Sequence, residues 1–150
     1  MSGVFVDTNI LIYSEDSADM AKRDVALLWL GVLWESGIGR LSSQVLNEFY
    51  VNVTRKLKPP MPQNTARDEV RRYAAWQPWP VDQSTIESAF GIETRYGLNY
   101  WDALVIAAAQ HLGCRIVLSE DMAHGETYGN VQVINPFVSS LDLLHSQISS

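Results

Sequence analysis

Val4-Phe5-Val6-Asp7-Thr8-Asn9-Ile10-Leu11 decides how this chain is read, because a short apolar run meets an acidic turn and passes at once into the start of a helix. Three consecutive apolar residues, within a strand read as Gly3 to Val6, suit burial on both faces of a sheet, and Asp, Thr and Asn favour turns and helix starts. The same grammar recurs at Arg115 to Leu118, a second buried strand that runs into Ser119-Glu120-Asp121. Ile38 to Leu41 and Val131 to Ile134 read as further strands, and Pro78 to Val81 as a short strand or an extended link.

Helical spacing fills the intervals. One helix starts at Ile10, and Met20 to Trp34 carries Val25, Leu28, Trp29, Val32 and Leu33 at three-and-four spacing before Gly37 and Gly39. Ser42 and Ser43 can cap a helix whose core stripe is Leu46, Phe49 or Tyr50, Val53 and Leu57, with Glu48 beside it and Pro59 and Pro60 stopping it. Gln63 to Trp76 is a charged surface helix, and Ser84 with Glu87 makes a capping box for a helix ending near Tyr96 and Gly97. Asn99 caps the alanine-rich stretch Tyr100 to Leu112, which Gly113 closes, and a terminal helix begins at about Ser140.

Strands alternating with helices imply a three-layer α/β/α sandwich around a parallel sheet, in one domain over residues 1–150. Such sheets place ligands beyond the carboxyl ends of their strands. Asp7 and Asp121 fall there, and Glu48 and Asp102 lie in the early turns of helices descending from the same rim. Convergent carboxylates with room for water suit a hard divalent cation such as Mg2+ or Mn2+. Without a cation, two carboxylates about 5 Å apart at an effective dielectric near 20 repel by roughly 3 kcal/mol. Thr8, Asn9 and Ser119 supply hydroxyl and amide groups that could orient carboxylates, and each can equally serve as a cap.

Composition narrows the classes. Hydrophobic residues at 47% and charged residues at 19% of 150 describe a globular chain. No apolar run approaches the roughly 18 residues of a membrane span, and Val4 to Val6 meets Asp7 without a basic leader, so a cytoplasmic protein is expected. Cys114 is the single cysteine, which excludes an internal disulfide and a thiolate zinc site. A net charge of −6 argues against a general nucleic-acid coat. Two basic groups nonetheless stand out: Arg55, Lys56 and Lys58, then Arg67, Arg71 and Arg72. Arg55, Lys56, Lys58, Arg71 and Arg72 could hold backbone phosphates, and Trp76, Trp79 or Trp101 could stack on unpaired bases.

The segments Val4 to Leu11, Ser42-Ser43-Gln44-Val45-Leu46-Asn47-Glu48-Phe49-Tyr50, Tyr100-Trp101-Asp102-Ala103-Leu104-Val105-Ile106-Ala107-Ala108-Ala109 and Leu118-Ser119-Glu120-Asp121-Met122 together resemble the PIN-domain motifs in family order. The likeness spans nearly the whole chain and is to VapC-type toxin ribonucleases in particular. It implies a metal-dependent endoribonuclease with Asp7, Glu48, Asp102 and Asp121 as the acidic quartet. Thr8 and Ser119 fall on its supporting hydroxyl positions, and Glu120 is an extra acid able to share or replace the role of Asp121. It further implies Mg2+ or Mn2+ as cofactor, an RNA substrate, a cognate antitoxin and a homodimer, for which the apolar face of Val25 to Trp34 is a candidate surface. Three other readings stand beside it: a stand-alone RNA-processing nuclease, a non-catalytic binding module of the same fold, and an aspartate phosphotransfer domain. The last wants a lysine late in the chain, and none follows Lys58.

Overall fold

In the computed structural model, which describes residues 2–149, five short strands form one sheet in the order β2-β1-β3-β5-β4. β1 (Val4–Val6), β2 (Gly39–Arg40), β3 (Ile116–Leu118) and β5 (Val131–Ile134) are parallel, and the edge strand β4 (Thr127–Tyr128) is antiparallel. Among the described residues seven α-helices flank the sheet: α1 (Thr8–Tyr13), α2 (Met20–Ser36), α3 (Ser43–Arg55), α4 (Gln63–Arg72), α5 (Gln83–Tyr96), α6 (Tyr100–His111) and α7 (Asp142–Ser149). Every residue of β1 and β3 is buried, as strands covered on both faces require.

The sheet order is what positions a site. β1 lies between β2 and β3, so successive connections leave it in opposite directions and open a crevice at its carboxyl end. The register sets Val6 beside Leu118, and the Asp7 N–H donates to the Leu118 carbonyl at 2.9 Å. Asp7 and Ser119 therefore leave the sheet side by side. Ser42 caps α3 by accepting from Val45 N–H, and Asn99 caps α6 by accepting from Asp102 N–H, so both helices start at that rim as expected. Ala103, Ala107, Ala108 and Ala109 are buried in α6, where small side chains permit close approach to the layers on either side.

Several expectations are corrected. The cap of α5 is Asp82, whose carboxylate accepts from both the Thr85 N–H (2.9 Å) and the Thr85 hydroxyl (2.7 Å); Ser84 and Glu87 lie inside the helix and form no capping box. In α2 the buried residues are Ala26, Trp29, Leu30 and Leu33, while Leu28 is 60% and Leu27 44% exposed. That helix is apolar nearly all round, so spacing alone fixes no unique inward face. Of the two readings of Pro78 to Val81 the extended link is the one found, with Trp79 making a single parallel bridge to Ser42. β4 went unread because it is two residues long, although the Gly129-Asn130 turn that pairs it with β5 is a hairpin signal.

The stretch Gln63 to Trp76 is also divided differently. α4 ends at Arg72, and a 3-10 turn, Tyr73–Trp76, drops Tyr73 and Trp76 into the core. There the Trp34 ring lies 5.1 Å from Tyr73 and 4.8 Å from Trp76, with the Arg72 guanidinium 4.4 Å from the Trp34 ring. Trp76 is thus a core residue and offers no face to a base. Its indole lies on Gly39 of β2, where an added Cβ would stand 2.4 Å from the ring. Gly39→Ala should cost about 2 kcal/mol through overpacking, seen as a fall in Tm of about 4–8 °C for a domain of this size. An unchanged Tm would mean that Trp76 does not seal this end of the sheet.

Candidate metal centre

Asp7 is the N-cap of α1 and is only 7% exposed. One carboxylate oxygen accepts from the Thr8 N–H at 2.8 Å, and the other from the Ser119 hydroxyl at 2.8 Å and the Asn9 amide at 3.1 Å. The same Asn9 nitrogen lies 3.2 Å from an Asp121 carboxylate oxygen and 3.3 Å from the Ser119 hydroxyl, while its carbonyl accepts from the Glu120 N–H at 3.0 Å. One amide side chain therefore ties α1 to the loop after β3 and brings Asp7 and Asp121 to a common donor. Ser119 and Asn9 orient carboxylates. Among the described residues the Thr8 hydroxyl finds no hydrogen-bond partner.

The other two acids arrive on helices. Asp102, in the first turn of α6, accepts from the Asn99 amide at 2.8 Å, so a single residue both caps the helix and aims the carboxylate. Glu48 accepts from the Gln44 amide at 2.8 Å, one turn earlier on α3, and its backbone carbonyl accepts from Asn52 one turn later. Asp7, Glu48, Asp102 and Asp121 line one cleft of about 200 Å³ together with Thr8 and Asn9. Gln44 and Asn52 line it too. They were not singled out from the sequence, although Gln44, Glu48 and Asn52 recur every fourth residue and so share a helix face.

Glu120 is placed elsewhere. Its carboxylate accepts from the Tyr13 hydroxyl at 2.8 Å and forms an ion pair with Lys22, whose ammonium sits 4.7 Å from the centre of the Tyr13 ring. Asp121 is thus the acid of this loop that faces the cleft. Among the tryptophans, Trp101 lines the cleft and is 62% exposed, whereas Trp79 is held by a hydrogen bond to Thr85 and by stacking on His111. His111 meets Ser88 and His124 accepts from the Asn135 N–H, which keeps both in local structure.

Burial pushes the Asp7 carboxyl up to about 6; hydrogen bonds from Ser119 and Thr8 oppose this, and the charges of Asp102 and Asp121 add to it. Burial likewise raises Asp102, with a contribution from Asp121, and raises Glu48, with a contribution from Asp102. Among the described residues, none of the four forms an ion pair with Lys or Arg. The Thr8 hydroxyl and the Gln44 amide oxygen, both at the cleft, are buried with no hydrogen-bond partner. An all-oxygen donor set, with Asp7 buried, Glu48 and Asp102 half-buried and Asp121 exposed, fits a hard divalent cation. In this arrangement the acids face one another across the cleft, and among the described residues no three His, Cys, Asp or Glu side chains close to coordination spacing. A cation that keeps several of its waters accommodates such spacing.

The folded value of Asp7 lies above its ordinary 3.8. Its stabilising contribution is therefore complete below about pH 4 and is lost as the pH rises through about 6, to the extent of about 3 kcal/mol. Asn at this position cannot ionise, but its amide would face that of Asn9 and forfeit about 1 kcal/mol of hydrogen bonding. In chelator, Asp7→Asn should be about 1–2 kcal/mol more stable than wild type at pH 7.5, and the advantage should vanish at pH 4. Urea unfolding at the two pH values reads this directly, and an equal difference at both would remove the buried charge from the account.

Comparison with known proteins agrees with this architecture. No curated protein sequence matches the chain. VapC20 of Mycobacterium tuberculosis, described as a sarcin-ricin loop cleaving toxin, superposes with a TM-score of 0.63 at 21% identity, over 79% of this chain and 92% of that one. A chain of the FitAB complex bound to an IR36 DNA fragment superposes with a TM-score of 0.67 at 16% identity, over 91% and 97%. At these identities the likeness is one of fold. The PIN domain model matches residues 4–130, and with it the chain belongs to the PIN domain family, whose members are generally nucleases.

Proposed function

We propose that this chain is a divalent-metal-dependent endoribonuclease and the toxin of a type II toxin–antitoxin pair. The observation that carries the reading is the convergence of Asp7, Glu48, Asp102 and Asp121 on one cleft with Asp7 almost fully buried. A module that only binds gains nothing from a buried Asp7 among mutually repelling acids, which cost stability wherever no cation joins them.

On this reading Asp7, Asp102 and Asp121, with Glu48, would hold Mg2+ or Mn2+. Such an ion supplies activation of water and neutralisation of charge at a phosphodiester. The chain's own residues do the rest. Glu48, whose affinity for a proton is raised by burial, accepts one from the attacking water while Gln44 fixes its carboxylate. Water adds to phosphorus, the P–O3′ bond breaks, the departing 3′ oxygen takes a proton from solvent water, and the products carry a 5′-phosphate and a 3′-hydroxyl. Asn9, Ser119 and Asn99 keep the carboxylates aimed, and Glu120 supports the loop of Asp121 through Tyr13 and Lys22. Arg55 lies seven residues after Glu48, two turns along the same face of α3, where it can meet RNA backbone.

The partners follow from the same proposal. A cognate antitoxin would hold the enzyme inactive in the cytoplasm, and the exposed apolar residues Met20, Leu27 and Leu28 of α2 would supply a homodimer face. Among the described residues no helix is long and apolar enough to cross a membrane.

Purified protein should cleave single-stranded RNA in millimolar Mn2+ or Mg2+ and lose all activity in EDTA. Asp7→Asn and Asp102→Asn should each reduce cleavage at least about a hundredfold, about 2.7 kcal/mol of transition-state stabilisation, and Glu120→Gln by less than tenfold. Mn2+ at about a hundred times its Kd should raise the wild-type Tm by about 5–10 °C and leave that of Asp7→Asn in place. Equal metal response in the two proteins ends the proposal.

A further inference from the structure

α3 presents three adjoining depressions. Gln44, Glu48 and Asn52 face the acidic cleft; Gln44, Asn47, Glu48 and Val51 face a second groove; and Leu46, Asn47 and Tyr50 face a third hollow. At 100° per residue these sets follow one another around the helix, with Gln44 and Glu48 shared by the first pair and Asn47 by the second. The middle groove, of about 480 Å³, is walled by Val51, Val81, Trp101 and Leu104. The third hollow, of about 220 Å³, is lined by Arg67 and Arg71.

We propose that the middle groove seats the unpaired nucleobase adjoining the scissile phosphate of a single-stranded RNA, with Trp101 as its stacking face. This rests on the nuclease reading of the acidic cleft. Among the described residues the groove is lined by no cation and by the acid Glu48, which would repel an anionic group, whereas a nucleobase is neutral and has a π face for an aromatic platform. Trp101 meets that need, because its ring is held edge-on by Tyr100, with centroids 5.5 Å apart, and is still 62% exposed. The amide of Asn47 lines the groove, where it can both donate to and accept from a base edge. Gln44 donates to Glu48 at 2.8 Å and to the Trp101 carbonyl at 3.3 Å, which joins base seat and cleft through one side chain, and its own amide oxygen has no partner. Charge sets the occupant: acids suited to a cation and a phosphate lie at one end, and two arginines lie at the other, beyond Asn47, where the next backbone phosphate would pass. Among the described residues Arg67 is tied to the neutral Tyr50 hydroxyl and Arg71 to an exposed Asp68.

The test uses the full chain and single-stranded oligoribonucleotides, intact or carrying one abasic nucleotide at each position in turn. Cleavage kinetics in Mn2+ and fluorescence anisotropy of binding in EDTA are both measured. Trp101→Ala should raise KM and Kd about tenfold with a much smaller effect on kcat, and Trp101→Phe should restore most of the affinity. One abasic position next to the cleaved bond should produce the same loss in wild type and no further loss in Trp101→Ala. Undiminished abasic losses in Trp101→Ala, or unchanged KM and Kd, overturn the proposal. So does a variant that keeps its RNA kinetics and loses inhibition by a protein partner, since the groove would then belong to protein. Should wild type cleave no RNA, the nuclease reading fails, while base-dependent and Trp101-dependent binding would still uphold the groove as a base seat.

Discussion

The carboxylate of Asp7 is held out of water at the end of a strand that cannot move it. β1 is paired on both edges and covered on both faces, so the residue that follows it has its position fixed by the sheet. A carboxylate so placed is tolerable only if it is hydrogen-bonded. The donors come from Thr8 within α1 and from Ser119 across the β1–β3 pairing. Asn9 then extends the constraint to Asp121 and to the backbone of Glu120. The loop after β3 takes its shape from serving a charge on another strand.

Elements with local causes were legible in the sequence. β1 and β3 could be read because apolar runs end in turn-forming acids, and α3 and α6 because Ser42 and Asn99 have the side chains that caps need. What was not legible depends on the third dimension. α2 offers apolar residues on every side, and only the layer beneath it decides that Leu30 goes in while Leu28 stays out. Trp76 sits at the end of a charged stretch and is drawn inward by a 3-10 turn onto Gly39, a partner 37 positions earlier. For α5, two acceptors competed for the cap, and Asp82 reaches both polar groups of Thr85.

The candidate site shows the same division. Its acids could be named because their motifs stand beside strand ends and helix starts. The neutral amides that aim them could not, since Gln44 and Asn52 look like ordinary solvated helix positions until Glu48 is known to face a cleft. Glu120 and Asp121 are neighbours with the same charge, and composition cannot separate them. Tyr13 and Lys22 do, by capturing one and leaving the other to Asn9.

That capture bears on why, among the described residues, amides and hydroxyls serve the four carboxylates and no lysine or arginine pairs with them. A cation paired with Asp7 or Asp121 would relieve their repulsion as well as a metal does, and the metal would then have to displace it. Amide and hydroxyl donors satisfy the oxygens geometrically without cancelling their charge, so the negative potential stays available to an incoming ion. Lys22 is the cation beside this loop, and its ammonium is bound by Glu120 and lies against the rings of Tyr13 and Phe137. Glu120 thereby does more than brace a loop. By occupying Lys22 it keeps the one adjacent acid, Asp121, uncompensated, and the raised proton affinity of Asp7 and Asp102 follows from burial together with charges that nothing nearby is allowed to neutralise.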